Sequence, residues 1–336
     1  MKGCFIINPQ SGLSATRDIV YLTINRLLAE NVVTSLNISV TQGKYDATNI
    51  AASLDPEECD FVVSVGGDGT ANEVVNGLVK SGSKIPLAIL PFGTTNDFAA
   101  SLGLPKDSAS VVSMIKSFRV EPVDVGMFYT KDRNKATYFL NVVAGGLLSS
   151  VAHTVPVTQK NAFGRLAYLV EAAKNLTGLT LETSPLIIDC DGDIYHEDTF
   201  MLEVSNSTSA GGFTKIAPDA YINDGLFNLF LVRKVGALDV MPLLTKISTG
   251  MHVDDPRILM LTGKKITVSP DLSKDFNTFP MDYDGEKADD IPATIEVLPG
   301  AINLIVPDKR HTEKIVRGFK RTLHQTQEKE NTDTEK

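Results

Sequence analysis

Residues 61–72, FVVSVGGDGTAN, set one carboxylate among glycines directly after a short apolar run. Because Gly66, Gly67 and Gly69 have no Cβ, the backbone N–H groups there can approach a ligand closely. The segment that follows, ANEVVNGLVK, has a helical pattern, and the positive end of its dipole would point to the same place. With Asp68 among the glycines, these features predict a phosphate site that also handles a cation. A nucleotide-using enzyme is therefore the leading hypothesis.

A second segment of this kind, PFGTTNDFAASLGLP at 91–105, also follows an apolar run. Gly93 allows close approach of a ligand, Thr94 supplies a hydroxyl, and Asp97 supplies a second carboxylate. As an alternative, TTND is a good N-terminal cap for the helix that FAASLG predicts. Segments that follow neighbouring parallel strands lie at the same sheet edge, so the two are expected to converge, which favours a ligand site. The chain has neither a Walker loop nor a GxGxxG fingerprint.

The elements that would position these segments alternate between strand and helix over residues 1–120. This alternation predicts an open α/β sheet that binds its ligand at the carboxyl ends of the strands. From about Glu121 onward strand-like runs dominate and predict a sandwich or barrel, with helices at 164–176 and 236–249. The strand-like runs of this second half are 137–143, 185–190, 200–205, 226–232, 264–269, 293–298 and 301–306.

Composition limits the classes of function. The 336 residues carry a net charge of −9, which argues against non-specific nucleic-acid binding by the whole chain. No apolar run approaches the ~18 residues of a transmembrane helix, and the N-terminus is not expected to be a secretory signal. Cys4, Cys59 and Cys190 match no metal spacing, so we expect buried thiols in a reducing cytoplasm.

Three segments in this order and spacing resemble the diacylglycerol kinase catalytic domain, and the bacterial lipid kinases in particular. They are NPQSG (8–12), GGDGTANEVVNGL (66–78) and PFGTTNDFAASLGLP (91–105). NAD kinases and phosphofructokinases share the GGDG loop, but NAD kinases lack the PFGTTND block. The resemblance implies an N-terminal open α/β domain of the NAD kinase and phosphofructokinase type at 1–122, followed by a C-terminal β-sandwich domain for the lipid acceptor at 123–308.

The C-terminal segment has its own pattern. Residues 309–325 are expected to form a basic helix whose apolar stripe packs on the first domain, and docking on anionic lipid is a second role that does not exclude the first. Residues 326–336 are expected to be a disordered tail.

The resemblance also implies which residues bind ATP. They belong to the turn after the first strand and to the glycine loop, with Thr41 and Thr94 as further contacts. The full set is Asn8, Pro9, Gln10, Ser11, Gly12, Thr41, Gly66, Gly67, Asp68, Gly69, Thr70, Ala71, Asn72 and Thr94.

The catalytic residues follow from the same resemblance. Asp68 and Asp97 are implied to organise Mg²⁺ and water around the phosphates, and Mg²⁺ prefers such carboxylate oxygens. In DYDGE (282–286), Glu286 corresponds to the general base of the family and Asp284 to an acid on the metal side. Taken without the resemblance, this acidic segment is more simply interpreted as a surface turn.

A second metal site is implied by APDAYINDG at 217–225. Its counterpart in bacterial members holds a structural Mg²⁺, which here would be bound by the carbonyls of Tyr221 and Leu226 and the side chain of Asp224. A metal-free β-turn built on Asn223, Asp224 and Gly225 is the alternative.

The expected activity is transfer of the γ-phosphoryl group of ATP to the hydroxyl of diacylglycerol, which gives phosphatidic acid. Such an enzyme would be cytoplasmic, would contact the inner membrane surface and would not bind nucleic acid; a homodimer is compatible with the sequence. Three alternatives stay open. The acceptor could be another lipid alcohol of the sphingoid or ceramide kind, it could be NAD, or the chain could be a non-catalytic nucleotide- or lipid-binding regulator.

Overall fold

The computed structural model describes residues 1–11, 14–146, 183–210, 213, 215–276, 278–288 and 291–308. Four predictions fall outside these residues: the role of Gly12, the helix at 164–176, the helix at 309–325 and the tail at 326–336. Within the described residues, no helix combines the length and the apolar character that crossing a bilayer requires.

The first domain is an α/β unit in which four parallel strands lie in the order β2-β1-β3-β4. Because β1 pairs with β2 on one side and β3 on the other, the chain reverses its winding direction there, and a crevice forms at the carboxyl ends. The elements are β1 (Lys2–Ile7), α1 (Ser14–Ala29), β2 (Ser35–Val40), α2 (Asp46–Ala52), β3 (Phe61–Gly66), α3 (Asp68–Ser81), β4 (Leu87–Pro91), α4 (Asp97–Ser101) and α5 (Ser108–Ser117).

The central strands of this domain are buried along their whole length, as expected where helices cover both faces of a parallel sheet. One prediction was imprecise, because α3 begins at Asp68 and not at Ala71. The glycine loop is therefore shorter than expected, because Asp68, Gly69 and Thr70 belong to the first helical turn. Helix α5, capped by the Asp107 side chain, was not predicted from the sequence.

The second domain is built from antiparallel strands and one described helix. Its elements are β5 (Val120–Tyr129), a 3-10 turn (Arg133–Lys135), β6 (Thr137–Phe139), β7 (Val142–Gly146), β8 (Ser184–Cys190), β9 (Asp193–Ser205), β10 (Phe227–Arg233), α6 (Ala237–Thr249), β11 (Ile258–Gly263), β12 (Lys265–Pro270), β13 (Met281–Tyr283), β14 (Glu286–Lys287) and β15 (Ala293–Ile305).

Two long strands, β5 and β15, join the domains. β15 pairs with β12 and β5 in the second domain and then with β4 of the first, and its register against β5 shifts between Leu298 and Ile302. The sequence predicted two strands there, but the chain continues through the bulge as one. The predicted domain boundary between 122 and 123 falls inside β5, which is part of both domains, and that boundary stays a prediction.

The described part of the second domain contains two apolar layers. One lies inside the β structure and holds Phe139, Leu202, Phe227 and Ile295. The other lies on the opposite side of β9 and β10 and packs against α6, the helix predicted at 236–249. β11 was not predicted, and the predicted strand at 137–143 is divided into β6 and β7. Cys4, Cys59 and Cys190 are buried free thiols, as expected.

Candidate active site

The two glycine-containing segments meet at the carboxyl edge of the first-domain sheet. A Cβ built on Gly93 would lie 2.5 Å from the Cα of Gly67, so only glycine allows the two backbones to come this close. The backbone N–H of Phe92 also donates to the carbonyl of Gly66 at 2.7 Å. Asn96 holds the second segment in a turn. Its side-chain oxygen accepts the N–H of Gly93 at 2.8 Å, and its side-chain NH₂ group donates to the carbonyl of Gly93 at 2.7 Å. The convergence that the sequence predicted is present.

The turn after β1 joins the same edge. The Asn8 side chain donates to the hydroxyl of Thr70 at 3.1 Å, and the Asn8 backbone N–H donates to the carbonyl of Val65 at 2.9 Å. The carboxamide oxygen of Asn8 accepts the N–H of Gln10, which shapes the turn. Pro9 and Gln10 are exposed there.

Helix α3 presents its first turn to this edge. Gly67 is its N-cap, and a glycine has no side chain to occupy the N–H groups that a helix start leaves without intrahelical partners. Gly69 is exposed in this turn, whereas Thr70, Ala71 and Asn72 are buried. A helix start with free N–H groups and a positive dipole end is suited to an anion such as a phosphate.

Asp68 and Asp97 lie close enough for their charges to interact. Burial and, second, the neighbouring charge of Asp97 raise the pKa of Asp68 to about 6, although the backbone N–H groups of Asn96 and Asp97 oppose the rise. Two carboxylates that repel each other in a partly buried place are stabilised by a shared cation. Mg²⁺ is bound in this way, by one or two carboxylates together with phosphate oxygens and water. The donor set therefore fits Mg²⁺.

A cavity of about 320 Å³ lies beside this edge and is bounded by both domains. The second domain contributes Thr137, Tyr283 and Glu286. Of the predicted nucleotide contacts, Asn8, Ser11, Thr41, Gly67, Gly69, Thr70 and Asn72 line this cavity. Thr94 is exposed on the segment after β4 and is not among the residues that line it.

Asp284 and Gly285 form the hairpin turn between β13 and β14, with φ angles of 46° and 83°. Both carboxylate oxygens of Asp284 accept backbone N–H groups of residues 140–142, at 2.6 to 3.4 Å. Burial raises the pKa of Asp284 to about 7, although these N–H donors oppose the rise and the charge of Asp68 adds to it. The contacts are those of an anchor that fixes the hairpin, and the metal-side role of Asp284 stays a prediction.

Glu286 follows this turn and is half exposed at the cavity wall. Its carboxylate pairs with Lys44, the two atoms Nζ and Oε2 being 2.5 Å apart. A carboxylate held at the wall of a cavity that glycine loops also line can accept a proton from a hydroxyl bound there. The sequence motifs did not indicate Lys44, which belongs to the loop between β2 and α2.

Two buried acids near the site were also missed. Glu203 of β9 and Asp282 of β13 both pair with Ala144 of β7, so the three side chains lie on one face of the sheet. Burial raises the pKa of Glu203 to about 8; Ser205 donates to this carboxyl at 2.8 Å and opposes the shift, and the charges of Asp97 and Asp282 add to it. The alternation of side chains in the strand FMLEVS (200–205) predicts that Glu203 and Met201 share a face. It does not predict which residues that face contacts.

The proposed structural metal site is a tight turn. The Asp224 carboxylate accepts the N–H of Leu226 at 3.0 Å, and burial raises its pKa to about 7, with the charge of Asp124 adding to the rise. The side-chain oxygen of Asn223 is buried and has no hydrogen-bond partner among the described residues. Such oxygens suit a hard cation, so this turn fits Mg²⁺. In the described part of the chain, no group of three or more His, Cys, Asp or Glu side chains is arranged to hold a metal, so backbone carbonyls, as at Tyr221, would have to contribute.

Comparison with known proteins gives two family matches. Residues 2–128 match the model of the diacylglycerol kinase catalytic domain. Residues 141–306 match the model described as the YegS C-terminal NAD kinase beta sandwich-like domain. Together with the strands described above, these matches confirm the predicted fold class, an open α/β domain followed by a β-sandwich domain.

Curated relatives and solved structures agree with this fold. A diacylglycerol kinase of Staphylococcus haemolyticus is 30% identical, with 94% of this chain and 92% of the relative covered. A diacylglycerol kinase of Bacillus subtilis is 29% identical, with 91% and 96% covered. A solved structure from Bacillus anthracis str. Sterne, assigned as a diacylglycerol kinase, is 27% identical with a TM-score of 0.75, over 91% of this chain and 95% of that one.

Proposed function

The chain belongs to the diacylglycerol kinase family of lipid kinases, and from this premise we propose that it phosphorylates the hydroxyl of diacylglycerol with ATP to give phosphatidic acid. One observation carries the proposal: the backbones of Gly67 and Gly93 meet beside a cavity that Gly67 and Glu286 both line. A candidate phosphate site from the first domain and a candidate base from the second would thereby share one cavity.

In the proposed reaction the triphosphate lies on the first turn of α3 and the turn after β1. The acceptor hydroxyl enters from the second domain and gives its proton to the carboxylate of Glu286. The oxygen of the acceptor then forms a bond to the γ-phosphorus, while the bond from that phosphorus to the bridging oxygen of ADP breaks. Phosphoryl transfer needs mainly positioning and neutralisation of charge, so one carboxylate base is sufficient protein chemistry.

Mg²⁺ is proposed as the metal, and when bound it would neutralise phosphate charge. Asp68 and Asp97 would hold it, and the turn at Tyr221, Asp224 and Leu226 would hold a second, structural ion. The cavity-lining residues Asn8, Thr41, Thr70 and Asn72 would position the nucleotide.

The proposed setting is the cytoplasmic face of the membrane, because diacylglycerol resides in the bilayer and the enzyme must reach it there. The proposal requires neither nucleic acid nor a second copy of the chain.

The test is product identification. The full chain is incubated with γ-labelled ATP, Mg²⁺ and a panel of dioleoylglycerol, sphingosine, ceramide and NAD. The expected product is labelled phosphatidic acid. If only sphingosine, ceramide or another lipid alcohol is labelled, that lipid and not diacylglycerol is the acceptor. Label on NAD alone would overturn the lipid assignment. A Glu286→Gln preparation, purified in parallel, controls for contaminating kinases, and the absence of any labelled product would indicate a non-catalytic regulator.

A further inference from the structure

Lys44 and Glu286 form an ion pair that connects the two domains. The Nζ and Oε2 atoms are 2.5 Å apart, and the side chains of both residues line the cavity in which the proposed function places the triphosphate. We infer that Lys44 serves two anionic partners in turn: it neutralises Glu286, and on nucleotide binding it transfers to the phosphates and releases the carboxylate. This inference rests on the proposed function and adds a phosphate-binding residue to it.

The backbone beside Lys44 is held firmly. The N–H groups of Gln42 and Gly43 donate to one carboxylate oxygen of Asp46, at 2.7 and 3.1 Å, and the N–H of Tyr45 donates to Glu73 at 3.1 Å. Tyr45 has a φ of 70°, a left-handed conformation that turns the chain at this point. The lysine stem therefore starts from a fixed place at the cavity wall.

The Lys44 side chain, in contrast, is exposed. Lys44 is 55% exposed and Glu286 45% exposed, and water screens an exposed pair so that it contributes little stability. The ammonium also lies 5.2 Å from the centroid of the Tyr45 ring, within the range of a weak cation–π contact. A lysine with a long flexible stem can therefore exchange partners at small cost.

The charges around the cavity give a reason for the exchange. Glu73 and Glu286 line the cavity, and Asp68 lies in the adjoining helical turn. A triphosphate entering among these carboxylates needs cations, and Lys44 and Lys80 are among the lining residues. Phosphate offers Lys44 a multiply charged partner and stronger charge-assisted hydrogen bonds. Once Lys44 has transferred, both oxygens of Glu286 can face the acceptor hydroxyl, so nucleotide binding would precede proton removal.

The experiment measures binding and not turnover. The affinity of the full chain for β,γ-imido-ATP with Mg²⁺, and for adenosine, is determined by calorimetry. Lys44→Gln is expected to weaken binding of the analogue about tenfold, the effect of losing one charge-assisted hydrogen bond, and to leave adenosine binding unchanged. The matched control is Lys274→Gln, which breaks an equally exposed pair with Asp198 away from the cavity and should change neither affinity.

Partner exchange makes a second prediction with the opposite sign. Glu286→Gln removes the competing partner, so binding of the analogue should tighten several-fold, and the loss caused by Lys44→Gln should be larger in that background. If Glu286→Gln weakens binding, or if Lys44→Gln has no effect on an analogue that the wild-type chain binds, the inference is wrong while the proposed function stands. If the wild-type chain does not bind the analogue, the proposed function fails as well.

Discussion

Gly67 and Gly93 touch through their backbones, although they follow different strands of the sheet: a Cβ on Gly93 would lie 2.5 Å from the Cα of Gly67. This contact unites two segments, each with one carboxylate, into one surface. It also makes the geometry of the site sensitive to a single methyl group.

Gly93→Ala should separate the two segments. Because the added Cβ would meet backbone and not a flexible side chain, we expect a loss of about 1–3 kcal/mol in the free energy of unfolding and weaker ATP binding. Chemical denaturation and calorimetry measure both. Gly43→Ala is the control, since a Cβ there meets no atom within 4 Å, and its stability should be close to that of the wild type. Equal stability of the two variants would contradict the close contact.

Glu286→Gln should still bind ATP, at least as tightly as the wild type, and should lose most of its turnover. Removal of a general base costs about 10²–10⁴ in rate, so kcat should fall by that factor, while Glu286→Asp, which keeps a carboxylate on a shorter stem, should retain more activity. Steady-state kinetics with the lipid acceptor give the comparison. Near-normal turnover of Glu286→Gln would reject this residue as the base.

Asp68→Asn and Asp97→Asn should each raise the Mg²⁺ concentration that half-maximal activity requires. Burial raises the pKa of Asp68 and the charge of Asp97 adds to the rise, so a shared cation would relieve the repulsion between the two carboxylates. Titration of activity with Mg²⁺ at saturating ATP is the measurement. Asp193→Asn, which replaces an exposed acid at the start of β9, should behave as wild type. Unchanged metal dependence in both site variants would refute their proposed role.

Asp284→Asn distinguishes between two roles of Asp284, as an anchor of the hairpin and as a metal ligand. Asparagine tolerates the left-handed backbone, but its NH₂ group cannot accept the N–H groups of residues 140–142. If Asp284 is an anchor, the variant should lose about 1–3 kcal/mol in the free energy of unfolding. Its kcat should also be lower, with the Mg²⁺ requirement unchanged. An increased Mg²⁺ requirement would indicate the metal-side role instead.

Asp191→Asn provides the matched control for this variant. Asp191 also has a left-handed backbone, with a φ of 53°, and its carboxylate accepts the N–H groups of Lys264 and Lys265, both at 2.8 Å. Its loss should lower stability similarly without changing kcat.

Glu203 should make the protein less stable as pH rises. Its pKa is about 8 in the folded protein, against 4.5 for an ordinary glutamate, so between these values the folded state holds a proton that the unfolded state has released. Stability from this group is therefore complete below about pH 4.5 and declines through pH 8, by at most about 1.4 kcal/mol per pH unit. Glu203→Gln should raise Tm above that of the wild type at pH 8.5 and change it little at pH 5.

The control for the pH experiment is Glu58→Gln, which replaces an exposed glutamate of the first domain. Its Tm should follow the wild-type curve at every pH. A Glu203→Gln curve parallel to that of the wild type would show that the Glu203 carboxyl titrates normally.

Most elements of the first domain, although not α5, could be predicted because their signals are local. β3 and β4 are short apolar runs that end at glycine or proline, and the convergence of the segments after them follows from the geometry of parallel strands. The start of α3 was misplaced, since a glycine-rich sequence does not distinguish a loop from the first turn of a helix. The second domain was less predictable, because two apolar runs can be one bulged strand, as in β15.

The sequence by itself determined the glycine segments, their two carboxylates and the alternation of strands and helices that leads to them, all of which depend on neighbouring residues. Only the tertiary structure decided that Lys44 contacts Glu286, 242 residues away, and that Glu203 and Asp282 flank Ala144. Such contacts depend on strand register and on how two domains close around a cleft. No local pattern encodes them, because the residues involved become neighbours only when the whole chain has folded.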